Sequence, residues 1–286
     1  MEKEITIPFT PHDLHAVLWE PDKSQDVVGI IVAIHGLSTH AKREFFYTGP
    51  FFTGKKFAIL AIDLPGFGHW PGTKGNVKSW RVLRDAVQCA IDAAHDTHPD
   101  LPLFLLGVSM GGLVVLEYAL TIQKPRPVPI KAIATLVPAI DHALDLKWYH
   151  KLLILLIGTV AGNTKYAGKN DPIECHDPNS IVWEDDPLRL QYQRLGFIKK
   201  LWGKMRWVQK QASNWNDPLL VITVDQDAQV RTEAVKAWVE QVREKSATTP
   251  IPVEYELFED CYHRITHELR RDEVFNRILE FFRKMP

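Results

Sequence analysis

LFLLGVSMGGLVVLEYAL, residues 103–120, is the stretch on which the fold turns. Its opening residues, Leu103–Gly107, form a continuous apolar run, the pattern of a strand buried on both faces. From Met110 to Ile122 the apolar residues recur at helical spacing. Between the two lies Gly107-Val108-Ser109-Met110-Gly111, followed by Gly112. A serine held on a sharp strand-to-helix turn needs glycines two residues either side, because side chains there would collide with the neighbouring strand and helix. With 16 Gly and 7 Ser in 286 residues, chance supplies only about 0.02 such patterns. The competing account, a glycine-rich helix start, leaves the preceding strand unexplained.

Outward from this turn the same alternation continues. Gly29–Ile34 (GIIVAI), Phe57–Ile62 (FAILAI) and Ile130–Leu136 read as buried strands, and Ile5–Phe9 with Leu14–Trp19 as an opening pair. Val77–His98 reads as an amphipathic helix through Val82, Ala86, Ala90, Ala93 and Ala94. Strands at Leu219–Val224 and Val253–Phe258 alternate with helices at Thr232–Lys245 and Glu268–Arg283. The fold class expected is α/β: a mostly parallel central sheet covered by helices on both faces. From His142 to about Trp215 the strand signal disappears, and five of the nine Trp fall there (Trp148, Trp183, Trp202, Trp207, Trp215). The expected organisation is a core formed by residues 1–141 and 216–286, with 142–215 inserted after the sixth strand as a helical cap. That insertion point lies at the C-terminal edge of the sheet, where open α/β folds bind ligands.

Composition narrows the chemistry. Lys+Arg number 34 against 35 Asp+Glu, so the chain as a whole carries no basic footprint for nucleic acid. Cys89, Cys175 and Cys261 are odd in number and far apart; they form neither a disulfide framework nor a metal motif, and they suit a reducing compartment. No apolar signal region opens the chain, and the longest apolar stretch is too short to span a bilayer. The expected location is cytoplasmic, with peripheral membrane contact as an option. No metal and no cofactor is expected.

A serine hydroxyl needs a base to become a nucleophile. His263 fits: it follows the last strand through Glu259-Asp260-Cys261-Tyr262. His267 is the decoy, expected in the first turn of the last helix and facing away. The acid that orients the base should follow the strand before it. Asp225 and Asp227 both qualify, and Asp227 is favoured because it lies in the loop. The chain order Ser…Asp…His is that of serine hydrolases on this kind of sheet. The oxyanion calls for backbone N–H donors; Met110, after the serine, and Leu37, in the loop His35-Gly36-Leu37-Ser38, are the candidates. His35 itself reads as a structural residue bonded to loop backbone.

With these residues in place, the chain resembles the α/β-hydrolase superfamily over nearly its whole length. More closely it is similar to the monoacylglycerol lipase and lysophospholipase group, which shares ancestry with serine aminopeptidases. HGLS, IDLPGFGHWPG, GVSMGG, EDDPLRL, PLLVITVDQD and CYHRITHE carry the resemblance. It implies Ser109 as nucleophile, Asp227 rather than Asp225 as acid, His263 as base, and Leu37 and Met110 as oxyanion donors. Two positions depart from the family: Val108 stands where His is frequent, and Trp70 replaces a small residue near the expected site mouth.

Two features of the 142–215 segment bear on substrate. Leu152–Ile157 (LLILLI) after Trp148 and Tyr149 is an unusually apolar helix, either packed on the core or, as the resemblance implies, the wall of an acyl-chain tunnel or a membrane-dipping lid; Trp148, Leu152, Leu155 and Trp202 are the candidate substrate contacts. Arg194–Lys210 holds Arg194, Lys199, Lys200, Lys204, Arg206 and Lys210 with no acidic residue, and Ile198, Leu201, Trp202, Met205 and Val208 fall on one helical face. That pattern suits either an anionic lipid interface or an ordinary solvated face. The function expected is hydrolysis of a single-chain lipid ester such as monoacylglycerol or lysophospholipid. Aminopeptidase action, with Glu184, Asp185 and Asp186 holding a substrate ammonium, and thioesterase or small-ester hydrolysis are the enzymatic alternatives. A non-catalytic ligand receptor is a third class, disfavoured by the complete set of catalytic residue types. Chemistry that uses an aspartate at the elbow is excluded by Ser109. Oligomeric state is not written in the sequence.

Overall fold

The computed structural model describes residues 1–22, 26–122, 124–143, 148–166, 175–178, 186–246 and 251–285, with residues 148, 150, 151, 153 and 246 described in backbone only. In chain order the strands are β1 (Glu2–Ile7), β2 (Leu14–Trp19), β3 (Gly29–Ile34), β4 (Phe57–Ile62), β5 (Leu103–Val108), β6 (Ile130–Leu136), β7 (Lys165–Tyr166), β8 (Gln193–Arg194), β9 (Leu219–Gln226) and β10 (Val253–Tyr262). The helices are α1 (Ala41–Glu44), α2 (Thr48–Thr53), α3 (Arg81–Thr97), α4 (Met110–Thr121), α5 (Trp148–Val160), α6 (Leu195–Gln209), α7 (Thr232–Ser246) and α8 (Arg271–Lys284). Eight strands form one sheet in the order β1-β2-β4-β3-β5-β6-β9-β10. All neighbours from β4 to β10 run parallel, and β1 and β2 pair antiparallel at one edge.

The apolar strands are buried because the sheet has a core on each face. Successive side chains point to opposite faces. In β3, Ile30, Val32 and Ile34 join a cluster with α3, α4, α6 and α7, while Ile31 and Ala33 join one with α1, α2 and α8. The expected strands at 14–19, 29–34, 57–62 and 130–136 match the structure residue for residue, since each is a buried run with nothing to shift its ends.

Three expectations are corrected. The helix expected over 77–98 begins at Arg81: Val77 and Trp80 are buried in the preceding loop, where Trp80 stacks on Phe197 of α6 at 6.2 Å. The last helix begins at Arg271, not Glu268, because the Glu268 side chain is committed elsewhere, accepting from the Tyr262 and His176 backbone N–H groups. The segment between β6 and β9 is not wholly helical, since β7 and β8 form a two-stranded ribbon. The apolar face of α6 is buried as expected through Leu201, Trp202, Met205 and Val208; of the basic residues, Arg206 and Lys210 are exposed, while others are engaged with neighbouring groups. Lys204 and Arg84 both pair with Glu117 of α4, at 2.7 and 3.1 Å, and that carboxylate is fully buried. Lys199 donates to Thr159, Lys200 to Asn76, and Arg194 to the carbonyls of Lys74 and Asn163. A buried carboxylate requires paired charge, so Lys204 is a tie between α6 and the core.

In urea denaturation, Lys204→Met is therefore expected to cost about 1–2 kcal/mol, because the cation is partly exposed but its partner is not. Arg206→Met and Lys210→Met, on the exposed side, should stay within about 0.5 kcal/mol of the parent.

Candidate active site

The turn after β5 puts Ser109 at φ 51°, ψ −114°, a region where a non-glycine residue is strained. Neighbouring glycines make it possible. A Cβ on Gly107 would lie 2.6 Å from the Gly111 carbonyl oxygen, and one on Gly111 would run into the carbonyls of Ile34 and His35. Backbone bonds fix the turn in the sheet: the Ser109 N–H donates to the Leu136 carbonyl (2.8 Å), and the Ser109 carbonyl accepts from Ala139 (3.0 Å). The serine hydroxyl therefore projects from the C-terminal edge of the sheet.

The structure brings three side chains from three loops into one hydrogen-bonded row. His263 Nε2 lies 3.0 Å from Ser109 Oγ. His263 Nδ1 lies 2.8 and 2.9 Å from the two Asp227 oxygens. Asp227 is itself fixed, its Oδ1 accepting from the backbone N–H groups of Gln229 and Val230 at 2.8 Å. Both carboxylate oxygens are thus engaged, which orients the imidazole with Nε2 toward the serine. Asp225 is exposed and turned the other way; its carboxylate accepts from the Cys261 N–H at 3.3 Å.

Leu37 and Met110 flank this row. Met110 is the first residue of α4, so its N–H has no partner within the helix. Leu37 has no hydrogen bond among the described residues. The Gly36 N–H, by contrast, is committed to Glu44 Oε2 (3.3 Å). His35 is fully buried and bonded to loop backbone, with Nδ1 2.7 Å from the Gly36 carbonyl and Nε2 accepting from the Leu64 N–H (2.9 Å). Burial holds it neutral by pushing its pKa down.

Sequence reasoning missed Glu44. It is buried in α1, and its second oxygen accepts from Thr266 Oγ1 (2.9 Å). One carboxylate therefore joins the loop bearing Leu37 to the loop bearing His263. Its signal in the sequence is a lone acidic residue after Arg43, indistinguishable from a surface charge. Asp186, which the sequence offered as part of an ammonium-holding cluster, is a second clamp. It lies 2.7 Å from His40 Nε2 and 3.4 Å from Arg43 Nη1, and accepts from the Leu188 N–H. Burial alone would raise its pKa, but the Leu188 N–H and His40 hold it below the usual carboxylate range.

Other expectations fare differently. His267 is not on the last helix: it sits in a 3-10 turn, Ile265–His267, buried, with Nδ1 3.0 Å from Thr266 Oγ1. Trp70, in the loop after β4, packs its ring edge-on against Phe9 and His12. Trp202 is buried against His142, which bridges to Val230 beside Asp227. Leu155 is partly buried on the core, whereas Leu152 is 48% exposed. The Trp148 side chain, Glu184 and Asp185 lie outside the described residues.

In Glu44→Ala, the rate of Ser109 labelling by a fluorophosphonate should fall about tenfold, and Glu44→Gln, which keeps an acceptor oxygen, should recover most of it. Burial pushes the His267 pKa down to about 4. The unfolded chain then binds more protons, so stability is full above the ordinary histidine pKa and falls as pH drops from about 6.5 to about 4. The loss is about 3 kcal/mol, and His267→Gln should remove that part of the pH dependence of chemical denaturation.

The geometry finds its counterparts among known proteins. At 28% identity the chain is similar to phospholipase YtpA of Bacillus subtilis, over 92% of this chain and 97% of that one. At 22% it is similar to a monoacylglycerol lipase of Mycolicibacterium smegmatis, over 91% and 89%. Its fold matches a soluble variant of Saccharomyces cerevisiae monoglyceride lipase with a TM-score of 0.83 at 17% identity, covering 99% of this chain and 95% of that one. The sheet and its helices accordingly have the α/β-hydrolase fold. The profile described as "Serine aminopeptidase, S33" matches residues 25–270, so the chain belongs to that family of serine hydrolases.

Proposed function

We propose that this lipase/esterase-type hydrolase cleaves single-chain lipid esters, monoacylglycerol or lysophospholipid, through Ser109, His263 and Asp227. The observation that carries the reading is the row Ser109 Oγ–His263 Nε2–Asp227, with contacts of 3.0 and 2.8 Å. Ser109 Oγ attacks the acyl carbonyl as His263 Nε2 takes its proton, and Asp227 stabilises the imidazolium. The Leu37 and Met110 N–H groups hold the oxyanion. The same proton then passes to the departing alcohol. Water, deprotonated by His263, attacks the acyl-enzyme and releases the carboxylic acid, regenerating Ser109.

The lipid part of the reading rests on the relatives and on α5. The names of the relatives supply the ester class. On α5, Tyr149, Leu152, Leu156 and Val160 are all exposed, Val160 at 90%. At this spacing they share one face of the helix. In our reading, 142–215 is the cap, Leu155 and Trp202 face the acyl chain, and the exposed stripe of α5 meets the lipid surface. No described helix is long and apolar enough to cross a membrane. The aminopeptidase alternative draws on the family description. It needs a carboxylate free to hold an ammonium; of the three candidates, Asp186 is held by His40 and Arg43, and Glu184 and Asp185 lie outside the described residues.

A hydrolysis panel tests the proposal. It comprises 4-nitrophenyl esters of short, medium and long acyl chains, a monoacylglycerol, a lysophosphatidylcholine and an aminoacyl-arylamide, each with and without anionic vesicles. Turnover should peak at medium or long chains and rise with vesicles. Ser109→Ala should lower kcat about 10,000-fold with the fold unchanged. A peak at the shortest ester without a vesicle effect, or cleavage of the arylamide alone, would replace the lipid reading. Full activity in Ser109→Ala would end the mechanism.

A further inference from the structure

His15, Asp63 and His69 take no part in this chemistry, yet they form a second cluster of reactive side chains. The sheet creates it. β2 runs antiparallel to β4 with Ala16 opposite Ile62, so His15 falls opposite Asp63, whose N–H donates to the His15 carbonyl (2.8 Å). Residues opposite each other on paired strands present side chains to the same face. The loop after Asp63 returns through Gly66 and Gly68, both at positive φ. It delivers the His69 N–H to Asp63 Oδ2 at 2.8 Å. Gly68 has to be glycine, because the Asp63 carboxylate fills the space where a Cβ would stand.

Two imidazole nitrogens converge on that one oxygen. His69 Nδ1 lies 2.9 Å from Asp63 Oδ2, and His15 Nδ1 lies 3.2 Å from it. The two rings face each other with centroids 3.9 Å apart. All three ligand atoms lie within 4.8 Å of one another. As a hydrogen-bond site the arrangement is oversubscribed. His15 Nδ1 is buried and, despite the 3.2 Å contact, makes no aligned hydrogen bond.

A bound cation resolves each of these features. Two neutral imidazole nitrogens and one carboxylate oxygen make a ligand set suited to zinc and its neighbours in the transition series. Tetrahedral zinc with bonds of about 2.0–2.1 Å spaces its ligand atoms about 3.3 Å apart, so the contacts to Asp63 need open by only a few tenths of an ångström. The supporting groups are already placed. Asp63 Oδ1 accepts from the Ala41 N–H (2.8 Å), leaving Oδ2 inward. His15 Nε2 faces Glu4 Oε2 at 3.4 Å, a carboxylate–histidine pair of the kind that orients metal ligands. His69 is 38% exposed, so solvent reaches the cluster from its side. His40 lies edge-on to His69 at 6.2 Å but is held by Asp186 and stands outside the ligand set.

We propose that His15 Nδ1, Asp63 Oδ2 and His69 Nδ1 form a binding site for a divalent transition ion of the zinc class, separate from Ser109. The ion would cross-link β2 to the loop after β4 and play no part in ester cleavage. The proposal is independent of the reading of Ser109.

The test uses the full, untagged chain stripped with EDTA and equilibrated with zinc sulfate. Metal analysis after equilibrium dialysis should find about one zinc per chain with a Kd at or below about 10 µM. Cobalt(II) should give the intense visible band of a four-coordinate site, and zinc should raise the thermal midpoint by several degrees. His15→Gln and His69→Gln should each weaken binding at least about 30-fold, while His95→Gln, on α3, should not. Circular dichroism checks that each variant folds. If one does not, zinc protection of His69 from diethyl pyrocarbonate, read by peptide mass, gives the same answer in the parent chain. Binding well below one equivalent at about 100 µM zinc, binding unchanged in both variants, or absence of protection would overturn the proposal.

Discussion

The first turn of α4 rests directly on the end of β3, and that backbone contact governs the site. Gly111 lies against the carbonyls of Ile34 and His35 so closely that no Cβ fits. Gly36, in the loop that follows β3, has its Cβ direction 3.5 Å from the Ser109 Cβ. The elbow and the loop bearing Leu37 are therefore one packed unit. A side chain at Gly111 would push α4 away from β3, and one at Gly107 would push α4 away from β5; either would move the serine hydroxyl relative to the loop bearing Leu37. The strain at Ser109 is sustained by this packing together with the backbone bonds to Leu136 and Ala139.

Around that unit the loops are held by buried carboxylates rather than by apolar packing alone. Glu44 joins Gly36 to Thr266. Glu268 gathers the Tyr262, His176 and Leu269 N–H groups. Asp186 is gripped by His40 and Arg43, and Gln193 donates to Ser38. Loop backbones carry donors that must be satisfied when buried, and a carboxylate satisfies several at once through strong, charge-assisted bonds. The price is desolvation, offset only where all partners are present. This design ties the segment from 186 to 194 to the loop between β3 and α1. Displacement of the segment between β6 and β9 would thus be felt in the loop bearing Leu37.

The two helices of that segment divide its labour. α6 is anchored: its apolar face joins the core, and Lys204 reaches the buried Glu117. α5 packs on α6 at small residues, with Gly158 beside the Leu195 backbone and Gly162 beside Gly196. Close backbone approach on one side leaves Tyr149, Leu152, Leu156 and Val160 on the other. An apolar stripe presented by a well-anchored helix pair is a surface feature with its own rationale, because scattered exposed residues would not align at this spacing.

The sequence by itself determined the sheet and the elbow. Buried parallel strands are short apolar runs whose ends are marked by turns, and GVSMGG has one steric solution between a strand and a helix. His263 and Asp227 were legible too, because each stands just beyond a recognisable strand. The tertiary structure decided what depends on partners distant in the chain. Lys204 reads as a solvated lysine until Glu117, 87 residues away, is seen beneath it. Glu44 acquires its place only when Gly36 and Thr266, 222 residues from it along the chain, close on it. His15 and His69 meet only because antiparallel register sets β2 against the end of β4. Local periodicity encodes which face of an element is buried. Which charge meets which across the fold is set by strand order and loop closure, and neither is written within the few residues that a local pattern spans.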